Sequence, residues 1–488
     1  MPVSNEREAI RVRSERAVLA AVRLPDSVYD ARDPFGELGA LAEQAGATVV
    51  GTLEQRLERP NAGTYIGTGK LAELKGLCAQ LEAGTVIFDH DLSPRQIANI
   101  EEAVERKVID RSELILDIFA SRATTTEAKL QVELAQLEYT YPRLRAMWSH
   151  LERIVGSGGI AGIGTRGPGE QQLELDRRLA QSRRLALKKR IDQIQDRKRR
   201  MVALRNVDHF TVGLVGYTNA GKSTLFNTLT EGGAYADDRL FATLVTRTRE
   251  WDLGGGVNAM LSDTVGFVRD LPHHLIASFR ATLEETTHAH ALIIVLDVSD
   301  PACELHYRTV TGTLAELFAE IRRAQERRGA ADGGAAPAVG GEGTDGGADA
   351  PAGAWREPTR LIVLNKVDRL KDNAPLLVWQ QREPGAMAVQ ANRADDPGMA
   401  GLRQIVRAMA VGEEREREIT VDLRDSRTVD TLEKRGRVIG RAYDNGAVTL
   451  RVVIGQRPID QLRSLGARMR IAGEEPPARG WKRAPGGQ

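Results

Sequence analysis

The chain is 488 residues long, 41% hydrophobic and 28% charged, with 68 Lys and Arg against 67 Asp and Glu. That length and composition exclude a single small domain and a wholly disordered chain. No N-terminal apolar run resembles a signal peptide and no apolar run is long enough to span a bilayer, so a cytoplasmic protein without a membrane span is expected. Cys78 and Cys303 lie far apart without metal-ligand spacing and read as two reduced thiols. The near-zero net charge hides an asymmetry. Residues 140–205 carry sixteen Lys and Arg against six Asp and Glu, which points to a localised contact with a polyanion.

From residue 16 to about 120, short apolar runs alternate with helical segments. AVLAAVRL, ATVVGTL and GTVIFDH read as strands; LGALAEQAG, KLAELKGLCAQLE and SPRQIANIEEAVE read as helices, the last opening with Ser93 as N-cap before Pro94. This alternation predicts an α/β domain with a largely parallel sheet over residues 1–122. Within it YIGTGK (65–70) superficially resembles a phosphate loop but lacks the first glycine at the right distance.

Residues 123–208 have a different pattern. Leu130, Leu134, Leu137 and Tyr141 share one helical face. Leu173, Ala180, Leu187, Ile194 and Met201 recur every seven residues on a long charged helix, which suggests a coiled-coil seam. Between the two helices lies GSGGIAGIGTRGPG (156–169), where Gly162, Gly164 and Gly167 fit G-x-G-x-x-G. That spacing marks a dinucleotide site only after a strand, and LERIVG reads as a helix end. The stretch is therefore expected to be the exposed tip of an antiparallel helical hairpin, with Arg166 available to RNA. The second arm carries Arg183, Arg184, Lys188, Lys189 and Arg190 with few acids nearby. Tyr139, Tyr141, Trp148 and His150 interleave with Arg143, Arg145 and Arg153 on the first arm; such rings either stack on bases or pack the hairpin base.

Residues 209–411 return to strand–helix alternation. HFTVGLVGYTNAGKSTLFNTL places Gly216, Tyr217, Thr218, Asn219, Ala220, Gly221, Lys222 and Ser223, followed by Thr224, between a strand and a helix. This is G-x-x-x-x-G-K-S in its required context: backbone N–H groups curl around phosphates, Lys222 supplies a charge and Ser223 a hydroxyl ligand for Mg²⁺. Downstream, Asp263, Thr264, Val265 and Gly266 end a strand, with Asp263 in the outer Mg²⁺ shell and the Gly266 N–H toward the γ-phosphate. Asn365, Lys366, Val367 and Asp368 end another; a carboxylate there accepts two hydrogen bonds from guanine that adenine cannot offer. Between the motifs, Phe241, Ala242, Thr243, Leu244 and Val245 form a switch segment in which the Thr243 hydroxyl would complete the Mg²⁺ shell. Lys222, Thr243 and Gly266 are thus the expected catalytic groups. Phe267 occupies the place where many small GTPases carry a water-orienting glutamine, so unaided hydrolysis should be slow. Asn219 either offers an amide oxygen to K⁺ or braces the switch loop. Residues 329–354 are mostly Gly, Ala, Pro and acid and read as a disordered insertion. Residues 412–488 follow a β-α-β-β-α order, a small α+β domain with a loose tail from Gly473.

This constellation resembles the TrmE–Era–Obg–HflX class of GTPases. The segments DRSELILDIFASRA (110–123), LQVELAQLEYTYPRL (130–144), GTRGPGEQQLELDRR (164–178), FATL and DTVGFVRDLPHHLIASFRATLEE resemble the HflX family of ribosome-associated GTPases over roughly residues 20–410. The resemblance implies a multidomain α/β protein: an N-terminal α/β domain with the hairpin, a Ras-like P-loop G domain and a small C-terminal α+β (ferredoxin-like) domain. It implies Mg²⁺-dependent GTP hydrolysis, binding to the large (50S) ribosomal subunit and its 23S rRNA, and GTP-dependent ribosome dissociation, often under stress; a monomer is the default expectation. Rival readings are a biogenesis or hibernation-type RNA-binding factor that uses GTP only as an affinity switch, and an NTP-driven rRNA remodeller. Three departures from the family pattern stand out. Val245-Thr246 replaces Asp-Pro, Gln390-Ala391-Asn392 replaces the guanine-bracing Ser-Ala, and residues 329–354 are inserted.

Overall fold

The computed structural model describes residues 15–25, 27, 29, 32–156, 168–231, 246–269, 286–331, 355–444, 446–464 and 466–473. Three sheets organise them. The first has strands β1 (Arg16–Arg23), β2 (Thr48–Arg56), β3 (Thr85–Phe88) and β4 (Lys107–Ile109), all parallel in the order β2-β1-β3-β4. β1 is central, and Ala17 through Arg23 are all buried, as expected of a parallel strand covered on both faces. The covering helices are α1 (Gly36–Ala45), α2 (Thr68–Gln80), α3 (Pro94–Val104) and α4 (Arg111–Arg122). Ser93 and Gln96 form a reciprocal capping box on α3, and Asp110 caps α4. Strand β4 and helix α4 are additions to the elements expected from the sequence; β4 is too short for a periodic signal.

Two long helices follow, α5 (Thr126–Gly156) and α6 (Pro168–Asp208). They pack through Leu130 and Leu134 on α5 and Leu187 and Ile191 on α6, with Leu137 and Ile194 at the margin. Ion pairs Glu133–Arg183 (2.7 Å) and Glu127–Lys198 (3.8 Å) run in opposite chain directions along this seam. The seven-residue stripe expected on α6 is only partly used. Met201 is 61% exposed, and Ile191, outside the stripe, is buried. A straight 3.6-residue helix drifts away from a seven-residue repeat, so only a short stretch faces its partner. The opposite face of α5 sinks into the first domain: Val132 and Ala135 join its core, and the Tyr139 hydroxyl donates to Asp110 (2.7 Å) and Glu113 (3.0 Å). Tyr139 is therefore a packing residue and not a base-stacking ring.

The second sheet is β5 (Phe210–Gly216), β6 (Arg247–Asp252), β7 (Asn258–Asp263), β8 (Ala291–Asp297), β9 (Thr359–Asn365) and β10 (Met387–Ala388), in the order β10-β9-β8-β5-β7-β6. Only β6 runs antiparallel to its neighbour. Helices α7 (Lys222–Leu229), α8 (Cys303–Ala331), α9 (Ala374–Arg382) and α10 (Pro397–Val411) accompany it. Helix α8 continues to Ala331, three residues into the segment expected to be disordered; residues 332–354 lie outside the described residues. The third sheet, β11 (Glu414–Asp422), β12 (Arg437–Asp444), β13 (Ala447–Gly455) and β14 (Met469–Ile471), is antiparallel in the order β12-β13-β11-β14, with α11 (Ser426–Arg435) and α12 (Gln456–Ser464). Strand β14 is a further addition to the expected elements. Cys78 and Cys303 are buried in separate cores. Among the described residues no helix is long and apolar enough to cross a membrane.

Candidate nucleotide site

Strand β5 ends at Gly216 and α7 begins at Lys222, so the loop between them is held at the carboxyl edge of a parallel sheet, where ligands bind in open α/β folds. Gly221 sits at φ +93°, and a Cβ there would meet Asn365 Nδ2 at 2.2 Å. Only glycine satisfies both demands. Lys222 is buried, and its ammonium donates to the carbonyl of Tyr217 at 2.6 Å. Burial pulls its pKa down to about 8, against the pull of Asp263 and with the push of Lys366. Ser223 Oγ donates to Asp263 Oδ2 at 2.7 Å. This pairing of a hydroxyl with a carboxylate is a hard-oxygen set that fits Mg²⁺.

The segment after β7 lies along the loop. Phe267 N–H donates to the Gly216 carbonyl (3.0 Å) and Thr218 N–H to the Phe267 carbonyl (2.8 Å). Thr264 Oγ1 donates to the Leu214 carbonyl at 2.6 Å, tying the end of β7 to β5. A Cβ on Gly266 would fall 2.9 Å from Thr218 Cα and 3.0 Å from Lys222 Nζ, so Gly266 touches the loop directly. The Phe267 ring is buried in the G-domain core.

At the other strand end, Asn365 is buried and bridges two loops. Its Nδ2 donates to the Ala220 carbonyl (2.9 Å), and its Oδ1 accepts the N–H of Ala391 (3.0 Å). The Ala391 carbonyl accepts from Thr228 Oγ1 at 2.6 Å. The Ala391 N–H is thus engaged by Asn365. Lys366, at φ +60°, reaches the Asn219 carbonyl (2.7 Å) and the Asp297 carboxylate (2.7 Å). Asp368, in the single 3₁₀ turn Val367–Arg369, is exposed, as is Asn392; Gln390 is half-buried. Asn219 is exposed and left-handed (φ +61°), a conformation asparagine tolerates. Phe241, Ala242, Thr243, Leu244, Val245 and Arg166 lie outside the described residues.

Of the basic candidates on α6, Arg184, Lys188, Lys189 and Arg190 are exposed, while Arg183 is ion-paired across the seam with Glu133. The loop YIGTGK shows a different arrangement from the phosphate loop: Lys70 pairs with Glu73 (2.8 Å), and Tyr65 stacks on His90 with ring centroids 5.0 Å apart. Motif spacing missed the partners of Tyr217. Its hydroxyl donates to Glu37 of the first domain and accepts the N–H of Arg269 (2.8 Å), and its ring stacks on His306 at 3.8 Å. Glu37 lies 180 positions away, and no local signal marks such a pair.

The strand–loop–helix at Gly216–Ser223 and the Asn-Lys-x-Asp strand end together define a P-loop GTPase. Family models for a GTP-binding GTPase N-terminal region, a GTP-binding GTPase middle region and a 50S ribosome-binding GTPase match residues 32–120, 122–205 and 211–326. The chain is 46% identical to GTPase HflX of Lacrimispora saccharolytica, covering 62% of this chain and 70% of the relative. It is 38% identical to GTPase HflX of Escherichia coli (75% and 79%) and 34% identical to that of Gluconacetobacter diazotrophicus (93% and 98%). The chain belongs to the HflX family of GTPases. It is also similar to a solved complex of SsGBP with GDP, at 23% identity and a TM-score of 0.42, covering 81% of this chain and 98% of that one.

Proposed function

We propose that this GTPase binds GTP across Gly216–Thr224, Asp263–Gly266, Asn365–Asp368 and the Gln390–Asn392 loop, with Phe241–Val245 as its switch segment. Lys222 holds the terminal phosphates, Gly266 directs an N–H to the γ-phosphate and Asp368 reads guanine. Ser223 and Thr243 ligate Mg²⁺, with Asp263 behind them; when bound, the ion offsets phosphate charge. Asn219 supplies an oxygen to K⁺, a role checked by comparing hydrolysis in K⁺ and Na⁺ buffers.

We further propose that residues 1–122, 123–208, 209–411 and 412–488 act as an N-terminal domain, a helical hairpin, the G domain and a ferredoxin-like domain. The hairpin and first domain engage the large ribosomal subunit in the GTP state and promote ribosome dissociation, as a cytoplasmic monomer; hydrolysis releases the factor. The observation that carries this reading is the exposed Arg184–Lys188–Lys189–Arg190 cluster on a helix whose partner is rooted in the first domain. Four exposed cations with few acids nearby suit a phosphate backbone. The test is sedimentation of intact ribosomes with the protein and a non-hydrolysable GTP analogue. Free subunits are expected; intact ribosomes carrying the factor would select an assembly or storage role instead. Replacing residues 157–167 with a short Gly-Ser turn should spare intrinsic hydrolysis and weaken the ribosome-dependent rate.

A further inference from the structure

The carboxyl end of the first sheet carries a buried charge cluster. Asp89, immediately after β3, is fully buried and meets three guanidiniums: Arg111 at 2.7 Å, Arg23 at 3.0 Å and Arg269 at 3.0 Å. Arg269 belongs to the G domain, three residues beyond Gly266, and its Nη2 spans both Asp89 oxygens (3.0 and 3.1 Å). The crevice between β1 and β3 is the point where strand order reverses, the usual ligand position in an open α/β sheet. Here it receives a side chain of the neighbouring domain.

Other contacts lock the same segment. Arg111 also donates to the carbonyl of Arg269 (3.2 and 3.3 Å), and Glu37 faces Arg111 (2.8 Å) and Arg269 (3.6 Å) while accepting from Tyr217. Val265 and Val268 are buried in the first domain's core, on either side of Gly266 and Phe267. Burial raises the Asp89 pKa, but Arg111, Arg269 and Arg23 outweigh it and hold the carboxyl below the usual range. The carboxylate thus stays charged, and the latch stays set, at neutral pH.

We propose that Asp89 is a positioning residue for the nucleotide site: through Arg269 it holds Gly266–Phe267 against the phosphate loop and thereby sets the rate at which guanine nucleotide enters and leaves. This rests on the reading of Gly216–Ser223 as the phosphate site. Gly266 lies against Thr218 and Lys222 with no room for a Cβ, so a shift of the segment that Asp89 anchors changes what borders the phosphate loop.

The experiment measures release of N-methylanthraniloyl-GDP from the full-length protein and from Asp89→Asn, Arg269→Gln, Arg269→Lys and the Asp89→Asn/Arg269→Gln double variant, with melting temperatures alongside. Asp89→Asn strips three buried guanidiniums of their shared anion and can fail to fold. Arg269→Gln leaves Asp89 with Arg23 and Arg111 and keeps the test decisive. Release about fivefold faster or more is expected in the single variants. The double variant should be no faster than the singles, and Arg269→Lys should restore part of the wild-type rate. Release in folded Arg269→Gln that is unchanged or slower, whatever its melting temperature, overturns the proposal. Failure of the wild-type protein to bind the probe at all overturns instead the reading of the phosphate site, and this inference with it.

Discussion

Phe267 and Val268 are adjacent in sequence and buried in different domains: Phe267 in the G-domain core beside Tyr217, Val268 in the first-domain core beside the α4 residues. Extended backbone sends successive side chains to opposite faces, so one short segment serves two cores. Truncating either residue should therefore report on different cohesion. Phe267→Ala is expected to cost about 3–5 kcal/mol and Val268→Ala about 1–2 kcal/mol. Urea unfolding gives both totals. Limited proteolysis between the first domain and the G domain should accelerate in Val268→Ala before global unfolding does.

Lys222 is more stable deprotonated than an ordinary lysine, with a pKa of about 8 against 10.5. Between those values the unfolded chain binds the proton more tightly, so folding stability from this group is lowest below pH 8 and recovers as pH rises to 10.5. Lys222→Met should abolish guanine-nucleotide binding. It should also stabilise the protein, without nucleotide, by up to about 3 kcal/mol at pH 7. Thermal melts at pH 7 and pH 10 check this; the gain should shrink at the higher pH.

Asp368, the base-reading group proposed above, is exposed rather than enclosed by protein. Discrimination then rests on its two hydrogen bonds to N1–H and the 2-amino group. Asp368→Asn replaces one acceptor by a donor, which should weaken GTP binding by about 10²–10³-fold and favour xanthosine triphosphate, whose C2 carries an oxygen. Competition titrations with the two nucleotides would show the exchange of preference.

His290 stacks on Phe210 (5.1 Å) and accepts the N–H of Thr211 on Nδ1 (3.0 Å), while Arg457 of α12 lies over the same Phe210 ring (4.5 Å). Burial, then the Arg457 charge, lowers its pKa to about 4. The neutral imidazole is the folded form, so its contribution is complete above pH 6.5 and is lost as pH falls toward 4. The G domain and C-terminal domain meet here. Acid should weaken that joint by up to about 3 kcal/mol, and His290→Asn should flatten the acid limb of the stability curve.

The sequence alone determined the GTPase class, because its motifs are residue types at short fixed spacings. The strand–loop–helix around Gly221, Lys222 and Ser223 and the strand end before Asp368 were legible for that reason. The alternation of strand and helix was likewise readable from periodicity, except for helix α4 and for β4 and β14, which at three residues are too short to carry it. The seam on α6 was only partly legible, Leu187 and Ile194 but not Ile191, because a seven-residue repeat says nothing about how much helix a partner covers. Only the tertiary structure decided which neighbours the site has. Asp89, Glu37 and Arg111 are remote in sequence from Tyr217 and Arg269, and burying like-charged guanidiniums around one carboxylate is tolerable only once folding brings every partner within hydrogen-bonding distance. That network, which no spacing rule encodes, ties the first domain to the phosphate loop.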